Sequence, residues 1–399
     1  MSTTPFKIQV STDKLNRLKQ KLALTDYPVN VLPTTNESWE KGVPISEIKR
    51  LAEYWQSGFD WRRVENELND VPQFLTPIEI DGFGTYKIHH VHRRSGQSDA
   101  IPLLFLHGWP GSFLEVLKML DGLVTGEEGE PSFHVVAPSL IDFGFSDASG
   151  KARFGFEQHA EAYDKLMQAL GYNTYVVQGG DVGGLVSRYI AKAYGPSRCK
   201  AHHTNTPTPF QPDEKTHPEL FAKSQSTPLT DVEKAGLLRT QTFQTEGSGY
   251  FKQQTTRPLT TGYSLRDSPV GLLSWMYEKM HDWSNAYPWT DDEILTWVSI
   301  YYFSTAGPEA SSNVYYEMEH SEPPAFAAQA VYIDVPLGIS RFENDLVSLP
   351  RLWNQTMGPV VFENEEAHRR GGHFAAWGNP EAIVGDLRKM FRDGSVYLK

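Results

Sequence analysis

Val176-Val177-Gln178-Gly179-Gly180-Asp181-Val182-Gly183-Gly184 is the stretch on which the fold turns. An apolar, β-rich run enters Gly-x-Asp-x-Gly, and Val186, Tyr189, Ile190 and Ala193 then recur at helical spacing. The small residues permit a sharp strand–turn–helix that holds the central side chain exposed on strained backbone. Gly-x-Ser-x-Gly presents a nucleophile in this geometry, and here Asp181 stands in place of serine. The backbone N–H of Val182 then faces any negative charge that develops beside it. Taken alone, the same pentapeptide is an ordinary turn.

Its surroundings favour the first reading. The sequence predicts short strands over Leu75–Ile80, Tyr86–His92, Ile101–Leu106, Phe133–Ala137 and Tyr175–Gln178. An apolar helix is expected through Phe113, Val116, Leu117 and Leu120, and another through Tyr163, Leu166, Met167 and Leu170. Val331–Leu337 and Pro359–Phe362 read as the last two strands, and Pro380–Phe391 as a closing helix. This alternation predicts an α/β fold with a mostly parallel sheet and helices on both faces. Ahead of it, Ser11 caps a helix through Leu15, Leu18 and Leu22, followed by a stretch with Trp39, Trp55 and Trp61 broken by Pro28, Pro33 and Pro44.

Between about 205 and 330 the pattern turns helical and aromatic, with capping-box pairs at Thr230/Glu233 and Thr290/Glu293. It reads as a lid inserted over the strand ends, or as a separate helical domain. The expected division is an N-terminal extension at 1–95, core at 96–204, lid at 205–330 and the rest of the core at 331–399.

Two further motifs follow predicted strands. Phe105-Leu106-His107-Gly108-Trp109-Pro110-Gly111 offers backbone donors at the sheet's C-terminal edge, with Trp109 placed to supply one half of an oxyanion hole. His107 reads as structural, its imidazole bonding loop backbone. Arg370-Gly371-Gly372-His373-Phe374 follows the last predicted strand, where the order nucleophile, acid, histidine of an α/β-hydrolase demands its histidine. The acid is expected after the preceding strand, at Glu343 or Asp345. His89, His90 and His92 lie on a strand without acidic or cysteine ligands at metal spacing, and His202 and His203 read as surface or lid-hinge residues.

The chain's 399 residues are 39% hydrophobic and 12% aromatic, enough for a sizeable core, and a formal charge of −12 argues against binding nucleic acid or anionic membrane by charge. Cys199, the single cysteine, leaves no internal disulfide to require an oxidising compartment. No run approaches the ~18 apolar residues of a membrane span. Met1–Val10 lacks the apolar core of a signal peptide. The expectation is a soluble cytoplasmic protein.

The combination resembles the microsomal-type epoxide hydrolases, in their soluble fungal and bacterial form. The resemblance runs from Phe59-Asp60-Trp61 through Pro72-Gln73-Phe74, His107-Gly108-Trp109-Pro110-Gly111-Ser112-Phe113, Gly179-Gly180-Asp181 and Thr256-Arg257-Pro258 to Gly371-Gly372-His373-Phe374. It implies an α/β-hydrolase fold with a helical lid and no cofactor or metal. It implies Asp181 as nucleophile, His373 as general base and Asp345 as the acid orienting it, with Glu343 the fallback. Tyr250 and Tyr315 are implied as lid proton donors to the epoxide oxygen, Tyr316 competing with Tyr315, and the N–H groups of Trp109 and Val182 as the oxyanion hole. The partners implied are a small hydrophobic epoxide and water, with no nucleic acid and no membrane anchor, and a homodimer is plausible for the family. Ile141-Asp142 departs from the Pro-Gly of many relatives.

Other readings differ in class. A haloalkane dehalogenase also uses an aspartate on this fold but usually has tryptophan next to it, where this chain has Val182. A non-catalytic ligand-binding protein on the same scaffold would have no evident need of Asp181, His373 and a downstream acid together. Detoxification, catabolism of an aromatic or other environmental epoxide, and biosynthesis all stay open as roles.

Overall fold

The computed structural model describes residues 2–29, 38–126, 129–322, 324–326, 331–392 and 394–398, which leaves Pro33 outside the described residues. The described residues form one sheet from β1 (Thr4–Pro5), β2 (Gln73–Ile80), β3 (Gly84–Arg93), β4 (Ile101–Leu106), β5 (Phe133–Pro138), β6 (Tyr175–Gly179), β7 (Cys199–Thr204), β8 (Leu337–Ile339) and β9 (Val360–Glu363). Their order across the sheet is β1-β2-β3-β5-β4-β6-β7-β8-β9. Pairing is antiparallel from β1 to β5 and parallel from there on.

β4 and β6 are covered on both faces, so they read as continuous apolar runs instead of alternating ones. After β4 the chain crosses to β5 on one side and then returns to β6 on the other. Strand order therefore reverses at β4, and such a switch point opens a crevice at the carboxyl ends of the strands.

Three expectations need correction. The strand predicted at Val331–Leu337 is only Leu337–Ile339. Pro336 has no N–H to give a ladder, and the segment before it is held instead by Arg188, whose guanidinium donates to the carbonyls of Val331 and Met357. The single helix expected through Phe113 and Leu120 is a 3₁₀ turn, Phe113–Val116, followed by a short helix, Leu120–Val124. Its apolar side chains are buried all round, so no amphipathic stripe fixes a straight helix. His202 and His203 are not surface residues. They lie within β7, 3% and 1% exposed, where His202 pairs with Ser187 Oγ (2.9 Å) and His203 with Ser340 Oγ (3.1 Å).

At the amino end, Ser11 caps the helix Thr12–Ala23 by accepting from Lys14 N–H. The helices Ile45–Ser57 and Trp61–Asn69 bury Leu51, Trp55, Trp61 and Val64. Between β7 and β8 the chain builds the helices Pro218–Ser226, Asp231–Thr242, Gly249–Thr256, Pro258–Asp267, Pro269–Asp282, Asp291–Tyr302 and Ser312–His320. Both expected capping boxes, at Thr230/Glu233 and Thr290/Glu293, are formed. The amino-terminal helices brace this block: Arg50 pairs with Asp291 (2.5 Å), Arg63 with Asp292 (2.5 Å), and Tyr54 donates to Asp292 (2.7 Å). No helix of the described residues is long and apolar enough to cross a membrane.

Candidate active site

Asp181 ends the β6 turn and starts the helix Asp181–Tyr194, with φ at +50°. A residue other than glycine held there is strained, and such strain persists only where the surroundings over-determine it. They do so here. A Cβ on Gly183 would sit 2.1 Å from the Leu106 carbonyl oxygen, so only glycine lets the helix press against the end of β4. Asp181 N–H donates to Thr206 Oγ1 (3.1 Å), and the Trp109 N–H at the end of β4 donates to Asp181 Oδ1 (2.8 Å). The first intrahelical bond runs from Gly184 to Gly180, which leaves the Val182 N–H outside the helix's own ladder.

The other carboxylate oxygen, Oδ2, faces His373 Nε2 at 3.4 Å. His373 Nδ1 in turn lies 3.0 Å from Asp345 Oδ1, and both side chains are about 95% buried. Glu343 turns outward, 4.0 Å from Arg369. Between the two acids considered from sequence, the geometry brings Asp345 to the imidazole. Burial works against the imidazolium, but the hydrogen bonds and charges of Asp181 and Asp345 outweigh it and push the ring up to about 10.

The lid closes over this pair with aromatic rings. Tyr250 stacks on Trp109 (5.0 Å between centroids), and Tyr315 meets Trp109 edge-on (5.8 Å) and Tyr250 edge-on (6.0 Å). The two phenol groups approach one another, yet the buried Tyr315 hydroxyl has no well-formed hydrogen bond. Burial, then the nearby Asp181 charge, pushes both phenols well above their ordinary value and keeps them protonated. Tyr316 points away and stacks on His320 (3.9 Å). Among the described residues, two buried groups short of a well-formed hydrogen bond, His373 Nε2 and Tyr315 Oη, thus flank one carboxylate. Native proteins seldom leave such groups unsatisfied without a use for them.

His107 is structural, as its loop position suggested. It accepts from Leu140 N–H at Nε2 (3.1 Å) and reaches the Gly108 carbonyl with Nδ1 (3.0 Å), while burial holds it down at about 4.

Two contributors were not visible in sequence. Arg239, on the helix Asp231–Thr242, donates to the Asp345 carbonyl (3.1 Å), to Asn344 Oδ1 (3.2 Å) and to the Glu343 carbonyl, so one lid cation holds the acid's loop. Glu115 is buried beneath the Trp109 loop and fills the place where a Gly111 side chain would begin, a Cβ there falling 1.8 Å from its Oε1. Burial pushes this carboxyl up to about 8, against the pull of His373. The only sequence hint was a charge inside the otherwise apolar run Phe113-Leu114-Glu115-Val116.

The arrangement is a carboxylate held by a backbone N–H, an imidazole–carboxylate pair and two neutral phenols. It can attack an electrophilic carbon, protonate an oxygen leaving group and deprotonate water. Comparison with known proteins points the same way. Residues 3–116 match the family model for the epoxide hydrolase N terminus, and residues 101–287 that for the alpha/beta hydrolase fold. A protein of Stigmatella aurantiaca is 38% identical, the match covering 98% of this chain and 84% of that protein. Epoxide hydrolase 1 of Sus scrofa is 32% identical over 98% of this chain and 88% of its own length. The structure of Aspergillus niger epoxide hydrolase superposes with a TM-score of 0.84 at 34% identity, covering 98% of this chain and 97% of that one. On this evidence the chain belongs to the epoxide hydrolase family, a hydrolase built on the α/β-hydrolase fold.

Proposed function

We propose that the protein hydrolyses a hydrophobic epoxide to a vicinal diol through a covalent ester on Asp181. The observation that carries this reading is the environment of one side chain. Asp181 has Oδ1 on the Trp109 N–H and Oδ2 facing His373, with Tyr250 and Tyr315 across the site.

In the first step Oδ2 attacks an epoxide carbon in line with the breaking C–O bond. The bond's electrons pass to the epoxide oxygen, which takes a proton from Tyr250 or Tyr315 and becomes the product's first hydroxyl. The ester has no charge. His373 therefore loses the Asp181 contribution that held its proton, while burial, which disfavours imidazolium, remains. It gives up that proton, which restores the phenol by way of solvent, and becomes the base for the second step. Forming the ester thus arms the histidine.

His373, oriented by Asp345, then takes a proton from water, and the hydroxide adds to the Asp181 carbonyl. The N–H groups of Trp109 and Val182 hold the oxyanion, each such donor being worth ~2.7–4 kcal/mol. Collapse breaks the ester C–O bond, and the departing alkoxide takes the proton of the new Asp181 carboxyl, which releases the diol and regenerates the carboxylate beside protonated His373. Walls of Trp109, Tyr250, Trp283 and Tyr315 suit an aryl or alkyl oxirane. Phenols opposite the carboxylate favour an oxygen leaving group over halide.

The test is turnover of styrene oxide by the parent and by Asp181→Ala. Diol from the parent and none above background from the variant is expected. Comparable diol from both would remove Asp181 from the mechanism.

A further inference from the structure

The turn that joins the lid helices Pro269–Asp282 and Asp291–Tyr302 lies against the histidine's loop, and the chemistry above makes no use of its asparagine. Asn285 and Ala286 follow one another there with φ at +50° and +57°, a left-handed conformation that strains a residue with a Cβ and persists only where its surroundings impose it. The turn so shaped reaches both halves of the His373–Asp345 pair. The Trp283 carbonyl accepts from His373 N–H (2.9 Å). The Asn285 amide nitrogen donates to the carbonyls of Arg369 (2.9 Å) and Gly371 (3.0 Å), on the histidine's loop. Its oxygen accepts from Asn344 Nδ2 (3.0 Å), on the residue next to Asp345, and Asn344 Oδ1 accepts in turn from Arg239 (3.2 Å). Both amides are fixed in orientation, since carbonyls only accept and a guanidinium only donates. The fit is close: a Cβ on Gly372 would fall 2.6 Å from the Trp283 carbonyl oxygen and 3.1 Å from Asn285 N. Farther out, the two loops meet directly in an isolated bridge at Phe342 and His368. Nearer the site, Asn285 stands between them.

We propose that Asn285 is a positioning residue for hydrolysis of the ester: from the lid it sets the spacing of the Asp345 and His373 loops, and with it the contact that orients the base. The inference rests on the reading of His373 as the base of the second step. Asn285 bonds the backbone of one loop and Asn344 of the other, so removing it keeps the imidazole and the Asp345 carboxylate but frees the distance between them. That distance is 3.0 Å, in a hydrogen bond that weakens steeply as its geometry departs from the ideal. The groups of the first step are held by other elements. Asp181 starts the helix after β6 against the Trp109 N–H, and Tyr250 and Tyr315 stand on the helices Gly249–Thr256 and Ser312–His320. The tether is specific to the second chemical step.

The test uses Asn285→Gly, whose backbone suits the +50° conformation, together with Asn344→Ala, which removes the other end of the same bond. Alkylation of Asp181 by styrene oxide and hydrolysis of the ester are timed separately by rapid quench. Each variant is expected to slow hydrolysis about tenfold and to leave alkylation within a factor of about two, since a small misplacement of a catalytic group is enough for such losses. The double variant should lose no more than the larger single loss. In an Asp345→Asn background, where the charge being oriented is absent, Asn285→Gly should have no further effect. Equal slowing of both steps, additive losses, parent-like hydrolysis in both variants, or an undiminished Asn285→Gly effect in that background would overturn the proposal. Should His373→Gln itself hydrolyse its ester at the parent's rate, the base reading fails and the proposal falls with it. That outcome is distinguishable from the others because it needs no change at Asn285.

Discussion

Replacing Asp345 by asparagine separates the two chemical steps. The side chain keeps its shape and stays 3.0 Å from His373 Nδ1, but its charge is gone. Asp345 is 3% exposed and His373 7%, so solvent screens little of the interaction. A hydrogen bond to a charged partner contributes ~1.5–3 kcal/mol. At about 1.36 kcal/mol per factor of ten, that loss slows hydrolysis of the ester by ~10- to 150-fold. Ester formation uses Asp181 and the phenols, which do not touch Asp345, and should change only a few-fold. The intermediate then accumulates. Mixing Asp345→Asn with excess styrene oxide, quenching in acid and weighing the intact protein should show a large fraction heavier by one substrate. The parent should show much less. Equal slowing of both steps, or parent-like hydrolysis, would refute the role given to Asp345. Glu343→Gln is the control and should match the parent, because Glu343 turns toward Arg369.

The remaining predictions follow from the same geometry. Tyr250→Phe combined with Tyr315→Phe should cost ~10²–10⁴ in alkylation, measured by rapid quench, without slowing hydrolysis of an ester already formed. His373 has its folded-state value raised to about 10. Its contribution to stability is therefore complete below the unfolded imidazole's ~6.5 and is lost as pH rises through about 10. Urea titrations across that range should show this slope in the parent and lack it in His373→Gln. Glu115, with its carboxyl raised to about 8, is neutral at pH 7. Glu115→Gln should thus keep near-parent activity and gain stability relative to the parent as pH rises from the unfolded carboxyl's ~4.3 to about 8, levelling off above that in urea titration, while Glu115→Ala loosens the Trp109 loop and lowers the melting temperature. Gly183→Ala puts a methyl 2.1 Å from the Leu106 carbonyl oxygen and should yield little folded protein, as soluble expression would report.

What could be read from sequence follows from what is local. β4 and β6 were legible because strands covered on both faces carry continuous apolar runs, Leu103–Leu106 and Tyr175–Val177. β7 was not, since Cys-Lys-Ala-His-His-Thr looks polar until Ser187 and Ser340 are seen to satisfy its histidines. β8 is three residues long behind Pro336, too short to carry a pattern. Asp181, His373, Tyr250 and the two acids came from turn motifs and from resemblance. Choosing between neighbours needed the chain's path. Tyr315 and Tyr316 are adjacent on one helix, yet one ring packs on Trp109 and the other on His320. Arg239 and Glu115 act across large separations in the chain, for which a single sequence holds no signal.

The central claim is that oxygen reaches the product by way of Asp181, and a single turnover in heavy-oxygen water tests it most directly. Enzyme in excess over styrene oxide should release unlabelled diol, because the first oxygen transferred comes from the carboxylate. The label should then appear in the peptide carrying Asp181. Label in the diol of that first turnover, with none in the peptide, would mean that water attacks the epoxide directly and would contradict the covalent route.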